Sequence, residues 1–179
     1  MKPKEIILEF DQYLTRRKLQ FNAVVIGGAA LSILGVIARE TQDCDVLDPE
    51  IPKDIEQAAK DFSRAHNKSG SSLREDWLNN GPVALKQILP SGWRFRLEVL
   101  YQGAALSLYT LGRSDLLKTK LFAYCDRGQD FGDCMAMQPL QEELSDALPW
   151  LKVQDTNPQW PAHVDSMISK LATRLGYGV

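Results

Sequence analysis

A chain of 179 residues, 44% of them hydrophobic, is long enough to bury a core as one domain with a small helical appendage, and is neither disordered nor fibrous in composition. Its formal net charge of −2 excludes a generally basic, nucleic-acid-coating protein, and leaves room for a local basic lining around a phosphate. Its apolar stretches are broken by Gly, Arg or Asp well short of the roughly 20 residues a membrane span needs, and no signal-peptide run opens the chain, so we expect a cytoplasmic protein without a membrane partner. Cys44, Cys125 and Cys134 form no CxxC pair, and their odd number argues against a disulfide framework, so each reads as a small buried residue.

The first element predicted is a helix over 3–19, with Ile6, Leu8, Phe10, Tyr13 and Leu14 at helical spacing and Arg16, Arg17 and Lys18 suited to its C-terminal dipole. Phe21 to Ile26 is almost wholly apolar, as a strand buried on both faces would be; Gly27-Gly28 ends it, and Ala29 to Ile37 reads as a short buried helix. A second strand covers Asp43 to Leu47. After two prolines, Asp54, Ile55, Ala58, Phe62 and Ala65 predict a helix that stops near Asn67, before a Ser-Gly-Ser-Ser stretch.

Alternation then predicts a strand from Trp93 to Tyr101, with Phe95, Leu97 and Val99 on one face and Arg94, Arg96 and Glu98 on the other. A Gln102-Gly103 turn leads to a strand over Leu106 to Leu111, making a hairpin. Ser114 suits the N-cap of a helix over 115–126 and Gly128 its stop; another helix starts near Asp130, Pro139 and Pro149 divide the C-terminal third, and a last helix covers 162–175. No internal repeat is present. Strands early and helices late predict an α+β fold, with residues 1–112 as core and 113–179 as a helical bundle packed on it.

Chemistry concentrates in a few places. On a strand, Asp43 and Asp45 share a face while Cys44 points away. Two adjacent carboxylates repel unless a cation lies between them, and Mg²⁺ is held by one or two carboxylates plus phosphate oxygens; a solvent-facing strand end is the plainer alternative. Glu98 lies on a strand face opposite the apolar residues, where it is a third carboxylate or one half of a cross-strand ion pair with Arg94 or Arg96. Gly27-Gly28 lets bare backbone approach a phosphate at a helix N-terminus, or simply permits packing; it is neither a Walker loop nor GxGxxG. Lys120 and Arg127, seven apart, share a helix face with Tyr124: a phosphate-reaching face with a base-stacking ring, or a solvated face with Arg127 paired to Asp130.

Together, Gly27, Gly28, Ala30, Leu31, Arg39, Thr41, Asp43 and Asp45 form a pattern that resembles the nucleotidyltransferase fold of the DNA polymerase beta superfamily. The segment looks most like abortive-infection type toxins and related uncharacterised nucleotidyltransferase-like bacterial proteins. Lys120-Leu121-x-Ala123, Arg127, Asp130 and Asp133 are similar to a downstream signature of that group, and Trp77-Leu78-Asn79 and 139–150 also look familiar, without evident chemistry. The tryptophans read as packing residues, and His66 and His163, outside the motifs, as surface residues.

The resemblance implies a mixed β-sheet flanked by helices, and a site in which Asp43, Asp45 and Glu98 bind Mg²⁺ or Mn²⁺ and Glu98 helps deprotonate an acceptor. It further implies that Gly27, Gly28, Arg39, Thr41, Lys120, Tyr124 and Arg127 contact a nucleoside triphosphate, with Lys120 neutralising it. The implied activity moves a nucleotidyl group from an NTP to an RNA, protein or small-molecule hydroxyl, in a toxin with a cognate antitoxin. Two rival readings are a non-catalytic module of the same fold that binds a nucleotide, RNA or protein, favoured if Glu98 turns away from the aspartates or Arg39 fills the metal position, and a structural protein whose aspartates pair with Arg94, Arg96 or Arg127.

Overall fold

Pro3–Arg17 forms the first helix, α1, with proline in its first turn, where a missing N–H costs nothing, and Ile6, Ile7, Phe10 and Leu14 buried along one stripe. The computed structural model describes residues 2–38, 40, 41, 43–67 and 72–177. They fall into two units, one of Met1–Gln87 with Arg94–Leu111 and one of Ile88–Trp93 with Gly112–Val179. The fold is α+β.

The first unit holds a five-stranded mixed sheet. Its strands are β1 (Phe21–Ile26), β2 (Cys44–Asp48), β3 (Leu78–Asn79), β4 (Glu98–Gln102) and β5 (Leu106–Thr110), in the order β3-β2-β1-β5-β4. Only Asn22 of β1 is exposed, as expected of a central strand; β1 runs antiparallel to β2 and parallel to β5. Between strands lie α2 (Gly27–Ile33) and α3 (Lys53–Asn67). Phe10 of α1 meets Trp77 edge-on, with ring centroids 5.1 Å apart, and Phe62 of α3 at 5.3 Å, so an aromatic cluster joins both helices to the segment before β3.

One polar contact secures this unit. Asp11 of α1, only 6% exposed, accepts hydrogen bonds from the backbone N–H groups of Ala105 (2.8 Å), Leu106 (2.7 Å) and Ala104 (3.2 Å) at the entry to β5. A Cβ on Gly103 would stand 2.5 Å from that carboxylate, so glycine is required there by the close approach.

In the second unit, α4 (Arg113–Arg127), α5 (Phe131–Met137), α6 (Gln141–Leu151) and α7 (Trp160–Arg174) bury Leu117, Leu121, Leu144, Leu151, Val164 and Leu171. Arg113 holds α4 to α6 through a two-point contact with Glu143 at 2.8 and 2.9 Å. The Trp160 indole donates to the Leu151 carbonyl and that of Trp150 to Ile88, both at 2.8 Å, so these tryptophans are packing residues, as is the fully buried Trp77. Among the described residues no helix is long and apolar enough to cross a membrane.

Several boundaries differ from the sequence expectation. α2 starts at Gly27 itself and ends at Ile33, because Gly35 turns the chain with φ +78°. The strand expected from Trp93 starts only at Glu98: Gly92, at φ +76°, leads into a 3₁₀ turn over Trp93–Arg96. A register shift between Val99 and Tyr101 also breaks the alternation, so Phe95 and Val99 are 96% and 61% exposed while Leu100 and Tyr101 pack on the core. Gly112, not Ser114, caps α4, which Gly128 does end in the left-handed conformation. Pro149 lies in the last turn of α6 and does not end it. His66 is partly buried, stacked on Phe62.

Candidate functional site

The β1–β2 register fixes the site. Ile26 lies opposite Asp45 in the antiparallel pair, so the next residue, Gly27, passes directly over the Asp45 side chain. A Cβ at Gly27 would stand 2.6 Å from Asp45 Oδ2, and its φ of +77° disfavours any other residue. Gly27 and Gly28 open α2, whose N-cap residue, Ile26, contributes no side-chain cap. Gly27→Ala is therefore expected to cost about 2–4 kcal/mol, combining left-handed strain with overpacking, and to displace Asp45. Urea unfolding together with metal titration of the refolded variant measures both effects.

Asp43 lies just before β2. Thr41 Oγ1 donates to the Asp43 carbonyl (3.1 Å) and accepts from the Asp43 N–H (3.4 Å), closing a local turn that sets the approach of the strand. Asp43 Oδ1 is buried and, among the described residues, accepts no hydrogen bond. Arg74 stands 3.7 Å from it, beyond hydrogen-bond distance, while contacting Asp76 at 2.9 and 2.6 Å. A carboxylate oxygen without a hydrogen-bond donor is a ligand a hard divalent cation fits, with phosphate and water completing its shell. Arg39 lies outside the described residues.

The opposite wall was missed from sequence. β3 runs parallel to β2 with Asn79 in register with Asp45, and a Cβ on Gly81 would lie 2.8 Å from Asn79 Oδ1 and 4.0 Å from Asp45 Oδ1. The sequence signal was the Trp77-Leu78-Asn79 string, familiar but without a chemical reading. Further along β2, burial pushes the Asp48 carboxyl up, but Lys86 at 2.9 Å and Arg94 at 3.3 Å hold it below its ordinary value. Arg94 thus contacts Asp48, and Arg127 contacts Asp130.

Glu98 is not brought to the aspartates. It lies on β4, at the far edge of the sheet, and three strand steps of about 4.8 Å put it about 14 Å from β2. Alternation along β4 set which way Glu98 could point; the strand order, which inserts β1 and β5, set where it stands. Among the described residues no three His, Cys, Asp or Glu side chains are grouped to hold a metal ion.

The residues of the downstream signature lie in the second unit. Lys120, 6% exposed, donates to Asp133 (2.7 Å) and Asp130 (3.0 Å), so its charge is already neutralised. The Tyr124 ring is buried against Phe131, centroids 5.6 Å apart, and offers no open face to a base. Arg127 is exposed and pairs loosely with Asp130 at 3.8 Å. The signature therefore builds an ion cluster at the α4–α5 junction.

All three cysteines are buried. Burial, reinforced by Asp45 and Asp43, pushes the Cys44 thiol well up, and burial pushes Cys125 and Cys134 up to about 12, so none is a thiolate nucleophile near neutrality. The chemistry on offer is carboxylate, amide and backbone N–H.

A family model described as "Nucleotidyltransferase of unknown function (DUF6036)" matches residues 4–154. Neither the curated proteins nor the solved structures give a match.

Proposed function

The chain belongs to that family of nucleotidyltransferases of unknown function, and from this premise we propose that Asp43 and Asp45 bind a nucleoside triphosphate together with Mg²⁺ or Mn²⁺ and support nucleotidyl transfer to a hydroxyl. The observation that carries this reading is a buried Asp43 oxygen with no hydrogen-bond partner among the described residues, two positions before an Asp45 carboxylate over which only glycine fits.

In this reading, Asp43 and Asp45 present oxygens on one side of the triphosphate, and the N–H groups at the start of α2 meet its phosphates on the other. Gly27 keeps the backbone close enough for both, and Thr41 fixes the turn that delivers Asp43. A bound divalent cation supplies charge neutralisation at the phosphate oxygens. The acceptor oxygen forms a bond to the α-phosphorus as the bond between that phosphorus and the bridging oxygen breaks; pyrophosphate leaves and the hydroxyl proton passes to solvent water. With Glu98 on the far edge, no side chain of the aspartate pair's strand neighbours is assigned as the base for that proton.

Isothermal titration with each common NTP plus Mg²⁺ or Mn²⁺ tests the binding claim. Saturable binding by the protein, lost in Asp43→Asn/Asp45→Asn, is expected; no binding by any nucleotide, or binding unchanged in the double variant, overturns it. The distance of Glu98 favours a second reading, a module that binds the nucleotide without turnover. Incubation with α-labelled NTP and a cell extract separates the two: label transferred to RNA or protein, dependent on Asp45, supports catalysis, and binding without transfer supports the module. Growth arrest on expression, relieved by the same substitutions and by a co-expressed antitoxin, is the corresponding test of a toxin role.

A further inference from the structure

We infer that Asn79 is a ligand-binding residue of the Asp45 site, its side-chain amide donating to an anionic phosphate oxygen held beside that carboxylate. The inference rests on the reading of Asp43 and Asp45 as a nucleotide and metal site, and it assigns to that site the residue that stands where Glu98 does not.

Register supplies the placement. Asn79 and Asp45 are direct partners in the parallel β2–β3 pair, so their side chains leave the same face of the sheet on neighbouring strands. Gly81 then brings its backbone against both: a Cβ there would meet Asn79 Oδ1 at 2.8 Å and approach Asp45 Oδ1 to 4.0 Å. Asp45 is thus bordered by a glycine on each side, Gly27 against Oδ2 and Gly81 towards Oδ1. Both openings would be filled by any larger residue.

The segment carrying Asn79 is fixed on either side of it. Trp77, fully buried, donates its indole N–H to Ala59 O at 3.2 Å, and its carbonyl accepts from Cys44 N–H. Asn80 donates to Val46 O and Pro49 O, both at 3.0 Å, and accepts from Ile51 N–H at 2.7 Å. Asn79 itself spends one oxygen on the Gly81 N–H (2.7 Å), and among the described residues its Nδ2 has no hydrogen-bond partner. A side chain held by its carbonyl end, with its donor end unspent and a carboxylate as its register partner on the neighbouring strand, is arranged to donate to an anion that the carboxylate's cation has brought in. An amide also suits the position because a third carboxylate there would repel both Asp45 and phosphate.

Two substitutions separate this role from simple support of the turn. Asn79→Asp keeps an oxygen for the Gly81 N–H but replaces the donor with a negative oxygen, and Asn79→Ser keeps a neutral acceptor without the amide donor. Nucleotide affinity is measured by titration with NTP and Mg²⁺, metal affinity by titration with Mn²⁺ alone, and folding by melting temperature. The expected result is a fall of at least tenfold in nucleotide affinity in both variants, Mn²⁺ affinity kept or raised in Asn79→Asp, and melting temperatures within about 2–4 °C of the unsubstituted protein. Nucleotide affinity unchanged in both variants, with Asp45→Asn still abolishing binding, overturns the assignment of Asn79 and leaves the aspartate site standing. Absence of nucleotide binding in the unsubstituted protein overturns both.

Discussion

Asp11→Ala is expected to lower the unfolding free energy by about 3–5 kcal/mol, because it leaves several buried donors without an acceptor and each lost charge-assisted bond is worth about 1.5–3 kcal/mol. The carboxylate receives three backbone N–H groups at 2.7–3.2 Å and the Tyr101 hydroxyl, and no water can replace it at 6% exposure without opening the junction of α1 with the β4–β5 hairpin. Against a total stability of about 5–15 kcal/mol, that loss is large. Asp11→Asn, which retains one acceptor oxygen, is expected to lose less. Urea unfolding of both variants measures the difference.

The same carboxylate makes the protein acid-labile in a definite direction. Burial pushes the Asp11 pKa up, but the N–H groups of Ala105, Leu106 and Ala104 and the Tyr101 hydroxyl outweigh it, so the net displacement is downward from 3.8. A folded-state pKa below the unfolded value means that the stabilisation is complete above the unfolded pKa and is lost as pH falls through the folded one. Unfolding free energy measured from pH 6 downward should therefore fall below about pH 4, the ordinary carboxylate range, and Asp11→Asn should flatten that fall.

Lys120→Met is the second large effect, expected at about 3–5 kcal/mol, because removing one member of a buried ion cluster strands the others. Asp133 is 4% exposed and Lys120 6%, with their charged atoms 2.7 Å apart. Arg127, largely exposed and 3.8 Å from Asp130, is worth at most about 1 kcal/mol and cannot substitute. Adding Asp133→Asn to Lys120→Met should recover part of the loss by removing the stranded charge. Denaturation followed by the fluorescence of Trp150 and Trp160, which sit in the same unit, reports it. A Lys120 whose main work was to neutralise a triphosphate would instead lose nucleotide affinity with stability intact.

What the chain declared in advance was local. The spans of α1, β1 and α3 follow from apolar periodicity and from the glycine and proline punctuation around them, and Gly128 announces the end of α4. The approach of Gly27 to Asp45 was legible because a strand, a turn and a strand lie next to one another in sequence and in space. The place of Glu98 was hidden for the opposite reason: pointing direction is a property of one strand, whereas position is a property of the whole sheet, and β1 and β5 intervene. β3, at two residues, is too short to show any period, which hid Asn79 although it pairs with Asp45. For Lys120 and Tyr124, helical spacing shows which residues share a face and not whether that face meets solvent; Asp130 and Asp133 engage Lys120, and Phe131 packs on Tyr124.

The most direct measurement is the position of Mn²⁺, located by anomalous scattering, in crystals of the protein grown with Mn²⁺ and a non-hydrolysable nucleoside triphosphate analogue. A peak within coordination distance of Asp43 and Asp45, with the triphosphate against Gly27 and Gly28, is the expected result. Metal and nucleotide bound elsewhere, with the Asp43 and Asp45 carboxylates ordered and in contact with neither, would contradict it.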